Sequence, residues 1–70
     1  MRSVMPKGVT KWFNTLRGYG FIMDDSSHKD IFVHYTEIQR SDRQLQANEK
    51  VEFEIGHNTK GDFAKNVKVL

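Results

Sequence analysis

Short bursts of apolar residues separated by Gly, Asp, Asn and Ser run along the chain, and none keeps the spacing of an amphipathic helix for a useful length. The clearest burst is Val51-Glu52-Phe53-Glu54-Ile55, where strict alternation puts three apolar side chains on one face and two glutamates on the other. Strand-favouring residues fill four more segments, over residues 7–13, 19–23, 31–35 and 63–69. Residues 14–18 read as a turn, 24–29 as a polar loop and 56–61 as a Gly-bounded turn. Residues 36–49 are polar apart from Ile38, Leu45 and Ala47, and form a long connection with one helical turn over 36–39. Residues 1–6 make a short lead-in ending at Pro6, which has no N–H for a sheet ladder, and 7–70 make a single domain. Five short strands between turn signals predict an all-β fold, closed as a small barrel because closure removes the exposed edges.

Alternation then sorts the side chains between the two faces of each strand. Tyr19, Phe21 and Met23 share a face opposite Gly20 and Ile22, and Phe32 and His34 share one opposite Ile31, Val33 and Tyr35. The aliphatic set Ile22, Ile31 and Val33, with Val51, Phe53 and Ile55, makes a natural interior. Tyr19, Phe21, Phe32 and His34 are then forced outward, because a five-stranded barrel has no room for both sets. The reverse assignment exposes Ile22, Ile31 and Val33 instead, so either arrangement leaves an apolar patch of the kind that marks an interaction site. Gly18 and Gly20 favour the aromatics-outward arrangement, since glycine lets a ligand or a neighbouring backbone approach closely.

Charge sharpens this picture. The net +2 hides a polarised chain. Residues 1–23 carry Arg2, Lys7, Lys11 and Arg17 with no acid, residues 24–54 carry four bases against eight acids, and residues 55–70 carry Lys60, Lys65 and Lys68 against Asp62. Six of the eight aromatics, Trp12, Phe13, Tyr19, Phe21, Phe32 and Tyr35, fall between positions 12 and 35, a segment that overlaps the acid-free stretch. Flat rings beside Lys11 and Arg17 are what a single-stranded nucleic acid requires: each ring stacks a base, worth about 1–3 kcal/mol, while cations track the phosphates.

Composition removes other classes. Seventy residues are too few for a Rossmann fold or a (β/α)₈ barrel. The absence of cysteine excludes disulfides and Cys-based zinc sites and fits a reducing, cytoplasmic setting. No apolar run exceeds three residues, which leaves no membrane-spanning helix and no signal-peptide core. His28, His34 and His57 are dispersed, Asp24-Asp25 sits in a loop, and Gly18-Tyr19-Gly20 lacks the helix of a phosphate loop. The chain is therefore read as a non-enzymatic domain without metal or cofactor; a monomer is the expected state.

Lys11-Trp12-Phe13-Asn14, then Arg17-Gly18-Tyr19-Gly20-Phe21-Ile22, then Asp30-Ile31-Phe32-Val33-His34-Tyr35 resemble the bacterial cold-shock domain. The likeness continues through Ile38-Gln39, Leu45, Val51-Glu52-Phe53, Gly61 and Ala64-Lys65-Asn66-Val67. It implies a five-stranded antiparallel OB-fold barrel with an RNP1-like motif at residues 17–22 and an RNP2-like motif at 31–35. It also implies an RNA chaperone that binds single-stranded RNA or DNA with low sequence selectivity and loosens secondary structure, with roles in transcription antitermination or translation; pyrimidine-rich strands are the expected ligands. The residues matching the family's stacking surface are Trp12, Phe13, Tyr19, Phe21, Phe32, His34 and Tyr35, with Lys11 and Arg17 as phosphate partners.

The chain departs from that family at three places. Thr10 stands where a core valine is expected, and a buried hydroxyl costs stability unless bonded. Ser41-Asp42-Arg43-Gln44 offers no ring where members often carry one, and Tyr19 replaces the commoner phenylalanine. An RNA-recognition-motif domain shares the Arg-Gly-Tyr-Gly-Phe-Ile string but needs two helices. A small barrel docking a peptide on the aromatic patch is the remaining alternative.

Overall fold

In the computed structural model, which describes residues 5–70, strands form where the sequence alternates. They are β1 (Lys7–Asn14), β2 (Tyr19–Asp24), β3 (Asp30–His34), β4 (Lys50–Asn58) and β5 (Gly61–Val69), with one turn of 3₁₀ helix at Tyr35–Glu37. The lead-in expected over 1–6 falls largely outside the described residues; within them, the Pro6 carbonyl accepts from the Phe53 N–H at 3.0 Å.

The sheet closes in the order β1-β2-β3-β5-β4, with β4 returning to pair with β1. Four of the five pairings are antiparallel, but β3 and β5 run parallel, Phe32 opposite Phe63 and Val33 opposite Ala64. An all-antiparallel barrel was the expectation. A ring with an odd number of strands cannot alternate in direction all the way round, so one seam must be parallel.

Ile22, Ile31, Val33, Val51 and Phe53 are buried as alternation predicts. Ile55, expected with them, is half-buried and packs against the core. Ile38 and Leu45, isolated among polar residues, are buried too, as are Ala64 and Val67. Ile38 is held by a parallel bridge to Val67, so the 35–49 connection supplies side chains that complete the core, while Ala47 stays exposed. Arg40 and Glu49 brace that connection: both guanidinium nitrogens donate to the carboxylate, at 2.8 and 3.2 Å, and this holds the Glu49 carboxyl below its usual range.

The β4–β5 hairpin is longer than the turn signals suggested. Gly56 lies inside β4, and the chain reverses at Thr59-Lys60, where the Asn58 side-chain oxygen accepts from the N–H groups of Lys60 (2.8 Å) and Gly61 (3.1 Å). Further along β5, Asn66 and Val67 together oppose Phe53, a bulge that Asn66 accommodates at φ 50°.

Thr10 is fully buried, and its backbone is satisfied: the N–H donates to Glu49 (2.9 Å) and the carbonyl accepts from Asn48 (2.7 Å). Its hydroxyl has no partner among the described residues. Thr10→Val keeps the shape and removes the unpaired group, so it is expected to raise stability by about 1–3 kcal/mol. Thermal unfolding of the variant checks this; an unchanged or lowered midpoint would mean the hydroxyl is bonded.

Candidate functional site

The outer face of the barrel carries a single cross-strand row. Trp12 of β1 pairs with Phe21 of β2, Phe21 with Phe32 of β3, and Phe32 with Phe63 of β5; the row ends at Gly56 of β4. Beside it Tyr19 pairs with His34. Simple alternation in β1 would not build this row. Thr10 faces inward opposite Ile22, and Trp12 then opposes Phe21, so Lys11 is an extra residue in β1. This bulge lets Lys11 and Trp12 both face outward.

Trp12 contacts the Tyr19 ring at 5.7 Å and the Phe21 ring at 5.5 Å between centroids. Phe32 lies 5.8 Å from Tyr19 and 5.9 Å from Phe21. These spacings are those of favourable aromatic pairs, which hold the four rings in place while leaving ring faces in solvent. Trp12 is 43% exposed, and Tyr19, Phe21 and Phe32 are half-buried.

The remaining sequence-derived candidates sit differently. Tyr35 leaves β3 for the 3₁₀ turn, which explains how a residue assigned inward by alternation comes to be 43% exposed. Its ring packs 4.7 Å from His34 and covers Gly18, where φ is +76° and a Cβ would lie 2.7 Å from Tyr35 Cδ1. His34 Nδ1 accepts from the Thr36 N–H at 3.4 Å, which caps the same turn. Phe13 follows Trp12, faces the other way and packs against the core, apart from the exposed rings. Arg17 is exposed in the β1–β2 turn, with its backbone N–H on Asn14 Oδ1 at 2.9 Å and no ion pair among the described residues.

Lys11 is less free than expected. Its ammonium donates to Asp30 Oδ2 at 3.1 Å, with both side chains about half exposed. Such an exposed pair is worth at most about 1 kcal/mol and gives way to a phosphate. The acidic middle of the chain thus reaches the rim of the ring surface through Asp30. The 41–44 segment brings no ring beside Tyr35; Asp42, Arg43 and Gln44 line a shallow cleft there with Arg17 and Leu16. Sequence reasoning overlooked Phe63. The usable signal was alternation in β5, where inward Ala64 places Phe63 outward on the ring side of the sheet.

The family model for the "'Cold-shock' DNA-binding domain" matches residues 6–70. The chain belongs to the cold-shock domain family. It is 54% identical over 67 residues to "Probable cold shock protein A" of Mycobacterium tuberculosis, across 94% of this chain and 100% of the relative. It is 48% identical over 64 residues to "Cold shock-like protein CspG" of Escherichia coli K12, across 90% and 91% of the two chains. Among solved structures, "drosophila Unr CSD456" matches with a TM-score of 0.80 at 24% identity, covering 97% of this chain and 27% of that one, a likeness of fold. Nucleic-acid binding is the activity of this domain family, and the ring surface of this cold-shock domain has the chemistry for it.

The bases at the rim give this cold-shock domain a testable electrostatic term. Lys11→Gln is expected to weaken binding of an oligonucleotide at low salt and to flatten the slope of log affinity against log salt by about 0.7, the share of one single-strand phosphate contact. Titrations at several salt concentrations measure this; an unaltered slope would leave Lys11 as a partner of Asp30 alone.

Proposed function

We propose that this cold-shock domain acts as a monomeric RNA chaperone. It binds single-stranded RNA or DNA by stacking successive bases on Trp12, Tyr19, Phe21, Phe32, His34 and Tyr35, while Lys11 and Arg17 meet the phosphates. The observation that carries this reading is the register-matched row of rings, exposed on one face of a barrel whose aliphatic side chains fill the interior. A duplex hides the base faces that such a surface contacts, so only unpaired strands gain the stacking energy. Binding unpaired strands and not paired ones shifts the equilibrium of a hairpin towards its open form by mass action. Selectivity among sequences is low because every base has a π-face; pyrimidine runs are favoured because they unstack from one another at least cost. Loosening a transcript in this way acts on transcription termination and translation through RNA structure rather than through base-specific reading.

Trp12 is the only tryptophan and sits in the row, so it reports occupancy directly. Oligo-dT or oligo-U of six or seven bases is expected to quench its fluorescence, inside the range of roughly 4–16 nucleotides per OB fold. A blunt duplex and a panel of peptides should not. No quenching by either oligomer at low salt would sink the proposal, and quenching by peptides instead would favour a protein-docking barrel.

A further inference from the structure

The row of rings does not stop at β3. Phe63 occupies the position directly opposite Phe32 across the parallel seam, yet the two rings make no aromatic contact of the kind that links Phe32 to Tyr19 and Phe21. The reason lies on the next strand. Gly56 pairs with Phe63, and a Cβ on Gly56 would lie 2.5 Å from Phe63 Cζ and 2.8 Å from Cε2. The missing side chain lets the far edge of the Phe63 ring lie over the β4 backbone, leaning away from Phe32. Between the rings a cleft of about 640 Å³ opens, lined by Phe21, Phe32 and Phe63 with Asp30, Asn58 and Lys60. That is within the roughly 300–1,000 Å³ of small-ligand pockets.

We propose that this cleft is an additional base subsite, in which one nucleobase of a bound single strand stacks against Phe63 and extends the surface from β1–β3 onto β5. The inference rests on the single-strand reading of the ring surface. Its occupant follows from continuity: the cleft begins at Phe21 and Phe32, where the neighbouring base stacks, and needs no turn of the strand to be reached. Lys60 stands at its rim for a phosphate, and Asn58 and Asp30 carry the amide and carboxylate that hydrogen-bond a base edge. Asp30 and Asp62 both line the cleft, 3.1 Å from Lys11 and 2.6 Å from His57 Nδ1 respectively, so it receives an uncharged base while the phosphates stay outside it at Lys60 and Lys11.

The test compares strand lengths on the intact protein. Phe63→Leu keeps an apolar side chain over Gly56 and removes the stacking face. It is expected to weaken an eight-base oligo-dT about tenfold, one stacked base, and a four-base oligo-dT less than twofold, because a short strand shifts onto the remaining rings. Equal effects at both lengths, or none at either, would overturn the subsite. Should Phe63→Leu fail to fold, Trp12→Phe combined with Phe63→Trp places the sole indole in the cleft. Its fluorescence is expected to change with the eight-base strand, and a signal indifferent to it would overturn the proposal. Wild-type quenching of Trp12 separates the two readings: quenching without a length-dependent Phe63 effect removes the subsite alone, and no quenching at all removes the ring surface with it.

Discussion

Replacing Phe21 and Phe32 together with alanine is expected to weaken binding of a seven-base oligo-dT by roughly 2–6 kcal/mol, two stacked bases at about 1–3 kcal/mol each. The upper half of that range follows if the rings act as a unit. Phe32 touches both Tyr19 and Phe21, and Phe21 also touches Trp12, so their removal leaves Trp12 and Tyr19 supported only by each other. Neighbouring groups of this kind do not add independently. The slope of affinity against salt should stay as in the wild type, because no phosphate partner is altered. Anisotropy of a labelled strand is the suitable readout, since the Trp12 environment itself changes. Thermal unfolding of the same variant decides between the two face assignments. Both rings are half-buried and lie outside the enclosed core, so the fold should survive. A variant that unfolds would place the rings inside, and one that binds as tightly as the wild type would remove the surface from function.

The faces of β2 and β3 were legible because each is short, flanked by turn signals and free of bulges. One decision, that Ile22, Ile31 and Val33 point inward, settles every other side chain on them. β1 resisted the same logic at Lys11, since a bulge answers to the partner strand and leaves no mark in local composition. Tyr35 was misassigned by alternation for a related reason: the strand ends one residue earlier, where His34 caps the 3₁₀ turn. Ile38 and Leu45 belong to the core without any periodicity around them, because a connection that crosses the barrel end contributes single side chains rather than a face. Phe63 went unnoticed because its neighbour Phe32 is thirty-one positions away along a parallel seam, and such a pairing has no local signature. Thr10 was the opposite case: one residue departing from a familiar pattern correctly marked a buried hydroxyl without a partner.

Gly20→Ala is expected to remove most of the folded population. Gly20 was read as leaving room for a ligand or a neighbouring backbone, and what approaches is backbone. A Cβ built there falls on the Trp12 carbonyl oxygen and lies 2.8 Å from Phe13 Cα. The same crossing that brings β1 this close to β2 follows the Lys11 bulge and sets Trp12 opposite Phe21, so the contact cannot be relieved by turning a side chain. Overpacking against side chains typically costs about 1–3 kcal/mol, and a clash with backbone falls at or beyond the top of that range. A domain of this length has only about 3–5 kcal/mol from its core to set against it. Gly18→Ala makes the informative contrast. Its Cβ meets the Tyr35 ring, an exposed side chain that can swing away, so beyond the strain of φ +76° the fold should hold while Tyr35 shifts. Urea titrations followed by circular dichroism rank the two. If Gly20→Ala proved as stable as Gly18→Ala, β1 could move off β2 without unfolding, and the alignment of Trp12 with Phe21 would be a consequence of side-chain packing rather than of the backbone.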